Sequence, residues 1–220
     1  MTKESFRMEY LASLHGHTFN ANRGRTFPKL KNPKMYADWN TYYRNKSERS
    51  IGGSDLDNIW LCSDHHFSHK NIIKHANRPY DDIKVMNNDM LDKHNALVNE
   101  DDIVFMLGDV VMGSTDLGNK FLDQMNGYKI LLIGNHDWER GRKKIKEYNV
   151  DEMHVSYYLD FAGVMMTHAP FDSHIPFSNG FLSIHGHIHE NVIDCDQYRN
   201  VCVEHTDYAP IKLSEIINGG

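Results

Sequence analysis

Three histidines alternate over five positions in the stretch "SIHGHIHE", residues 183–190. In an extended strand His185, His187 and His189 would all point to one side. Imidazoles gathered on one side suit a metal site or a proton-handling cluster, and either needs partners from elsewhere in the chain.

Five apolar runs offer such partners at their tips. "LCSDHH" ends in Asp64, His65 and His66, and "FMLGD" ends in Asp109. "LLIGNHD" ends in Asn135, His136 and Asp137, "VMMTH" in His168, and "FLSIHGHIH" in His187 and His189. Taken singly, each has a plain explanation: His66 could cap a helix, Asn135 could make a turn, and Asp109 could cap the helix after "MGST". The series together is a divalent metal centre. Carboxylate oxygens, an amide oxygen and imidazoles suit Mn, Fe, Zn, Ni or Co better than Ca, which takes all-oxygen shells. About eight candidate ligands exceed the needs of one tetrahedral zinc. They match two ions sharing a bridging carboxylate, a common device for phosphoryl chemistry.

Elements must bring these tips together. "NIWLCSD", "DIVFMLGDVV" and "YKILLIGNHD" read as buried strands. Between them lie a short helix opening at 71–76 and stopped by Pro79, a helix with apolar spacing through Ile83, Met86, Met90 and Leu91, and a helix capped by Ser114 or Thr115. Helices between short apolar strands predict βαβ units, and sites in such domains gather beyond the carboxyl ends of the strands. The second half, "MHVSYYLDF", "GVMMTHAP", "GFLSIHGHIHE" and "NVCVE", reads as a meander forming a second sheet.

The ordered series Asp64-x-His66, Gly108-Asp109, Gly134-Asn135-His136-Asp137, His168 and Gly186-His187-x-His189 resembles the calcineurin-like metallophosphoesterase family over about residues 59–203. The resemblance implies an α/β fold in which a two-sheet sandwich is flanked by helices (αββα). It implies one ion held by Asp64, His66 and His189, another by Asn135, His168 and His187, and Asp109 bridging them. His136 would face the substrate as leaving-group acid or charge stabiliser, with Asp137 orienting its imidazole from behind. Water or hydroxide between the ions would attack phosphorus. Mn²⁺ leads the candidate cofactors, with Fe, Zn, Ni and Co as alternatives.

Substrate contacts are less well marked. Arg140, close behind "GNHDWE", is the best-placed cation for gripping phosphate, with Arg78, Lys70 and Arg142 as others. His69 could line the cleft near the first ion, and Trp138 reads as wall packing. His65 should point away from the ligands, and His185 is a neighbour whose role stays open. The spacing between His168 and His187 leaves no room for a large cap domain, so the cleft should be open. That favours a small phosphodiester or nucleotide. A phosphomonoester, a nucleic acid gripped by a basic extension, and a non-catalytic scaffold are the alternatives, the last disfavoured because no ligand position is missing.

Composition bounds the rest. A chain of 220 residues with 40% hydrophobic and 25% charged residues is ordinary globular material. Residues 1–57 hold 10 Lys and Arg against 6 Asp and Glu, whereas the whole chain has a net charge of −6. This first stretch reads as a basic, irregular extension with one short helix near 33–44 and a join at 51–55, packed on the core or on a partner. Residues 58–220 would form the metallophosphoesterase domain. The acidic balance argues against a generic nucleic-acid-coating protein. No run suits a membrane span or a secretion signal, which makes the cytoplasm the expected location. Three cysteines make no disulfide scaffold. Oligomerisation is left open.

Overall fold

The computed structural model describes residues 57–139, 144–155, 158–161, 164–170 and 182–218. The expected helix near 33–44, the join at 51–55, and Arg140 and Arg142 lie outside the described residues.

Four strands build a parallel core. They are β1 (Ile59–Cys62), β2 (Ile103–Met106), β3 (Tyr128–Leu132) and β4 (Glu152–His154). The short β9 (Ile211–Lys212) adds antiparallel to β1, giving the order β4-β3-β2-β1-β9. Helices α1 (Ile72–His75) and α2 (Ile83–Leu97) cross from β1 to β2, and α3 (Thr115–Leu122) crosses from β2 to β3. Two side-chain caps fix where helices begin. Asp82 accepts from the N–H groups of Lys84 and Val85 at α2, and Ser114 accepts from Leu117 at α3.

The strands of this sheet are buried on both faces, which is why they read as continuous apolar runs. Side chains alternate between two cores. Trp60, Cys62, Val104, Met106 and Leu131 face Met86 and Met90 of α2 and Leu122 of α3. Ile59, Leu61, Ile103, Phe105, Ile130 and Leu132 face the second sheet through Leu159, Val164, Met166 and Ile184. Full burial of each such side chain contributes roughly 1.5–3 kcal/mol. Helix α4 (Leu213–Asn218) adds Leu213 and Ile216 to this inner core. The architecture is an α/β sandwich of two mixed sheets flanked by helices.

The second sheet corrects the expected meander. Its order is β5-β6-β7-β8, with β5 (Leu159–Phe161), β6 (Val164–Thr167), β7 (Leu182–His185) and β8 (Tyr198–Asn200). Only β5 and β6 are antiparallel; β6, β7 and β8 run parallel. Parallel neighbours need a return connection of a dozen residues or so. Residues 168–181 and 186–197 provide it. "MHVSYYLDF" also divides, with Met153 and His154 in the first sheet and Leu159 in the second. In "NVCVE" the strand gives way to a bridge at Cys202 and a 3-10 turn at Val203–His205.

Candidate metal centre

The parallel strands of each sheet deliver their tips to one region. Asp64 and His66 follow β1, Asp109 follows β2, and Asn135 follows β3. His168 follows β6, and His187 and His189 follow β7. Two clusters result. Ligand atoms of Asp64, His66 and His189 lie within 4.8 Å of one another, and so do those of Asp109, His168 and His187. Asp109 stands between the clusters, because its Oδ2 lies 3.5 Å from both His66 Nε2 and His168 Nε2.

Five of these residues have left-handed backbone: Asp64 (φ 58°), His66 (49°), Asp109 (54°), His187 (71°) and His189 (48°). Such conformations cost on the order of 1–3 kcal/mol each in a non-glycine residue and persist only where the surroundings fix them. Here the strand ends stitch to one another. Asp64 N–H donates to Gly108 C=O and His66 N–H to Asp109 C=O, each at 3.0 Å. The carbonyl of His189 accepts from Asn200 Nδ2 and His205 Nε2, each at 2.8 Å. The alternation of "SIHGHIHE" therefore stops at His185, and His187 and His189 reach different clusters through curled backbone rather than a flat strand.

The donor set fits cations. Asp64 Oδ1 and both ring nitrogens of His66 are buried with no hydrogen-bond partner among the described residues. His168 Nδ1 sits 2.8 Å from the Leu107 carbonyl, which can only accept. The ring proton is thus on Nδ1, and the bare Nε2 lone pair faces Asn135 Oδ1 at 2.9 Å and His187 Nδ1 at 3.1 Å. A bare ring nitrogen facing the Asn135 amide oxygen is what a shared cation relieves. Asp64 is held on its other oxygen, Oδ2, by Ser63 Oγ at 2.5 Å, His187 N–H at 2.7 Å and Cys202 Sγ at 3.3 Å. Burial works against its ionisation, but His66 and the His187 N–H hold the carboxyl well below the usual range. Asp109 goes the other way. Burial, helped by the charges of Asp64 and Asp137, pushes it up to about 6.

His136 is half-buried, its ring centre 5.3 Å from that of His66. Burial, and then the nearby His66, lower its pKa. Asp137 does not orient that ring, contrary to expectation. Its Oδ2 accepts from the N–H groups of Asp109 (2.7 Å) and Gly134 (2.8 Å). Its Oδ1 accepts from Val110 N–H and the Tyr148 hydroxyl, each at 3.1 Å. Four donors saturate the carboxylate, so it clamps the loops rather than serving the imidazole. Buried Lys146 adds a second clamp, donating to the carbonyls of Val111 (2.8 Å) and His136 (2.7 Å).

Arg78 is also corrected as a substrate grip. It is only 4% exposed, and its guanidinium is engaged by Glu204 and by the carbonyls of Asp64 and His65. Lys70 is exposed. His69 is half-buried with its ring centre 5.3 Å from that of His66, and burial first, then nearby His66, lowers its pKa to about 4. Trp138 makes an isolated bridge with Ile145. His65 is buried and stacked on Phe67, outside both clusters. His185 lies behind the ligands, its Nδ1 donating to the Gly186 carbonyl at 3.0 Å. Sequence reasoning missed Ser63, Lys146, Tyr148, Cys202 and Glu204. Glu204 alone carried a signal: "NVCVE" is a further apolar run tipped by an acidic residue.

A two-sheet sandwich carrying a pair of Asp/His clusters at its strand tips defines the class of metal-dependent phosphoesterases. The chain belongs to the calcineurin-like phosphoesterase family, whose profile matches residues 58–211. It is 33% identical to an uncharacterized protein of Methanocaldococcus jannaschii, MJ1445, over 72% of this chain and 89% of that protein. It is 29% identical to the Gene 66 protein of Mycobacterium phage L5, over 63% of this chain and 80% of that one. Among solved structures it resembles a protein of unknown function, AQ665 from Aquifex aeolicus, at a TM-score of 0.55 and 28% identity, covering 72% of this chain and 96% of that one. No helix among the described residues is long and apolar enough to cross a membrane.

Proposed function

We propose that this chain hydrolyses a small phosphodiester or nucleotide at a dinuclear centre, with Mn²⁺ as the leading cofactor. The observation that carries the reading is the placement of Asp109 between the clusters of Asp64, His66, His189 and of His168, His187. Asn135 completes the second set through Oδ1, 2.9 Å from His168 Nε2. Two divalent ions bound there supply Lewis-acid activation of water and neutralise charge at phosphorus.

The chain's own residues do the rest. Asp109 and the imidazoles would hold the ions. His136, half-exposed, donates a hydrogen bond to the leaving-group oxygen and steadies the charge developing there. His69 lines the same mouth as a neutral ring. A singly charged diester is favoured over a doubly charged monoester because, among the described residues, the buried cations Arg78 and Lys146 are committed to carboxylate and carbonyl partners. Arg140, four residues after His136 in the sequence, is a proposed phosphate contact.

The test is a panel of aryl diesters, cyclic nucleotides, monoesters and short oligonucleotides, assayed with Mn²⁺ and after chelation. Diester turnover that needs Mn²⁺ and exceeds monoester turnover is expected. Faster monoester turnover would replace the substrate reading, oligonucleotide cleavage would favour a nuclease, and activity surviving full chelation would remove the metal reading.

A further inference from the structure

We infer that Glu204, locked by Arg78, is a positioning residue for His189, fixing the imidazole as its Nδ1–H form so that Nε2 is presented to the ion shared with Asp64 and His66. The inference rests on the metal-centre reading proposed above and extends it to residues outside the ligand set.

The geometry converges on one atom. Glu204 Oε1 accepts from Arg78 Nε at 2.9 Å and from His189 Nδ1 at 3.0 Å, and it lies 2.7 Å from Arg78 Nη2 as an ion pair. A carboxylate placed only to neutralise Arg78 would meet its planar fork with both oxygens. Here a single oxygen takes the Nε–H and the imidazole N–H and also forms the close ion pair with Nη2. Because a carboxylate facing an arginine can only accept, the proton between Glu204 and His189 belongs to Nδ1. In the neutral ring that a metal binds, the other nitrogen then carries the lone pair.

Arg78 ties this to the other two residues of the cluster. The side chains of Arg78 and Glu204 are 0% and 4% exposed, so neither moves freely. Arg78 also donates to the carbonyls of Asp64 at 2.7 Å and His65 at 2.8 Å. Those carbonyls belong to the curled segment in which Asp64 and His66 take left-handed backbone. One guanidinium therefore fixes the backbone carrying Asp64 and His66 and, through Glu204, the ring of His189. No comparable carboxylate backs His168, whose Nδ1 donates to the Leu107 carbonyl. The two ion sites are thus supported differently, and loss of Glu204 should be felt at one of them. An anionic partner on the far nitrogen also raises the basicity of a ligating imidazole, and removing such partners typically weakens metal binding by about 10–100-fold.

The experiment uses the full chain, stripped of metal, and compares it with Glu204→Gln and Arg78→Lys. Calorimetric titration with Mn²⁺ reads the affinity of each ion, and ¹H–¹⁵N correlation of the zinc-loaded protein reads the His189 ring. The parent should bind two ions and show a downfield, slowly exchanging Nδ1–H proton on His189. Glu204→Gln should weaken one ion about 10–100-fold, leave the other within error, and shift that proton upfield. Arg78→Lys keeps the charge but cannot reach Glu204 and two carbonyls together, so it should weaken the same ion. If neither variant folds, the parent's ring signature decides, and absence of the Nδ1–H proton overturns the inference. Equal weakening of both ions would mean general loosening and overturn it too. A parent with two ions beside variants that match it overturns this inference alone, whereas a parent that takes up no ion overturns the proposed function as well.

Discussion

Asp109 and Asp137 clasp each other's loops. Asp109 N–H donates to Asp137 Oδ2 at 2.7 Å, and the N–H of His136, beside Asp137, donates to Asp109 Oδ1 at 2.7 Å. The carboxylate between the two clusters is thus set by the loop that carries His136. A role in stability rather than in proton transfer follows for Asp137. Asp137→Asn turns one acceptor into a donor facing N–H groups in a fully buried site. The expected cost is about 1–3 kcal/mol for each group left unpaired. Melting temperature should fall by roughly 3–10 °C in a chain of this size.

His136→Ala should separate cleanly from that variant. Only the half-exposed ring is removed, while the backbone N–H to Asp109 remains. Two bound ions and a near-parental melting temperature are expected, with kcat lowered on the order of 10²-fold or more on a diester with a poor leaving group. A good leaving group needs less help and should show a smaller loss. Parental activity on the poor leaving group would remove His136 from the chemistry.

Asp109→Ala removes the one oxygen that lies 3.5 Å from a histidine of each cluster. Turnover should fall by at least about 10³-fold, the scale of several kcal/mol of lost electrostatic stabilisation. Elemental analysis of the Mn²⁺-loaded protein should then find fewer than two ions. Two tightly bound ions in this variant would show that no bridge through Asp109 is needed.

Acid should destabilise the fold through His94. This residue of α2 is 1% exposed, with Nε2 donating to the Asn126 carbonyl at 3.0 Å. Burial lowers its pKa from 6.5 to about 4. The unfolded chain then binds the extra proton first. The neutral ring's stabilisation is fully present above about pH 6.5 and is lost as pH falls toward 4, up to about 3 kcal/mol. Melting temperature of the metal-free chain should drop across that window. His94→Gln should flatten the drop, and an unchanged slope would assign it to other groups.

The sequence made the candidate ligands legible because each rides at the end of an apolar run, and burial of β1, β2 and β3 on both faces is what makes such runs continuous. Asp64, His66, Asp109, His168, His187 and His189, which the fold gathers into two clusters, stood out that way, and α2 showed through the spacing of Ile83, Met86, Met90 and Leu91. Strand direction was not legible. A parallel return and a hairpin leave similar gaps when no amphipathic helix fills them, so β6, β7 and β8 read as a meander. Side-chain partners over long separations were hidden too. Asp137 looked like an aid to His136 because they are adjacent, yet its partners are Asp109, Val110, Gly134 and Tyr148. Arg78 looked like a phosphate grip because nothing in its neighbourhood announces Glu204, 126 residues away.

Gly186 offers the sharpest steric test of the centre. A Cβ on this residue would collide with Ser63 Oγ and Asp64 Oδ2, and would stand 2.7 Å from Ser63 Cβ. The glycine is therefore required by close approach of β7's end to β1's end. Room for a methyl group can come only from moving Ser63 and Asp64, and movement of Asp64 breaks its bonds from Ser63 Oγ and His187 N–H. Gly186→Ala should keep a folded sandwich, because the apolar cores lie behind this junction. Mn²⁺ affinity at the Asp64 cluster should drop at least about 10-fold, with turnover falling alongside. Ion titration and circular dichroism read the two effects separately. An alanine variant that binds both ions as the parent does would show that the strand ends are less tightly joined than these contacts require.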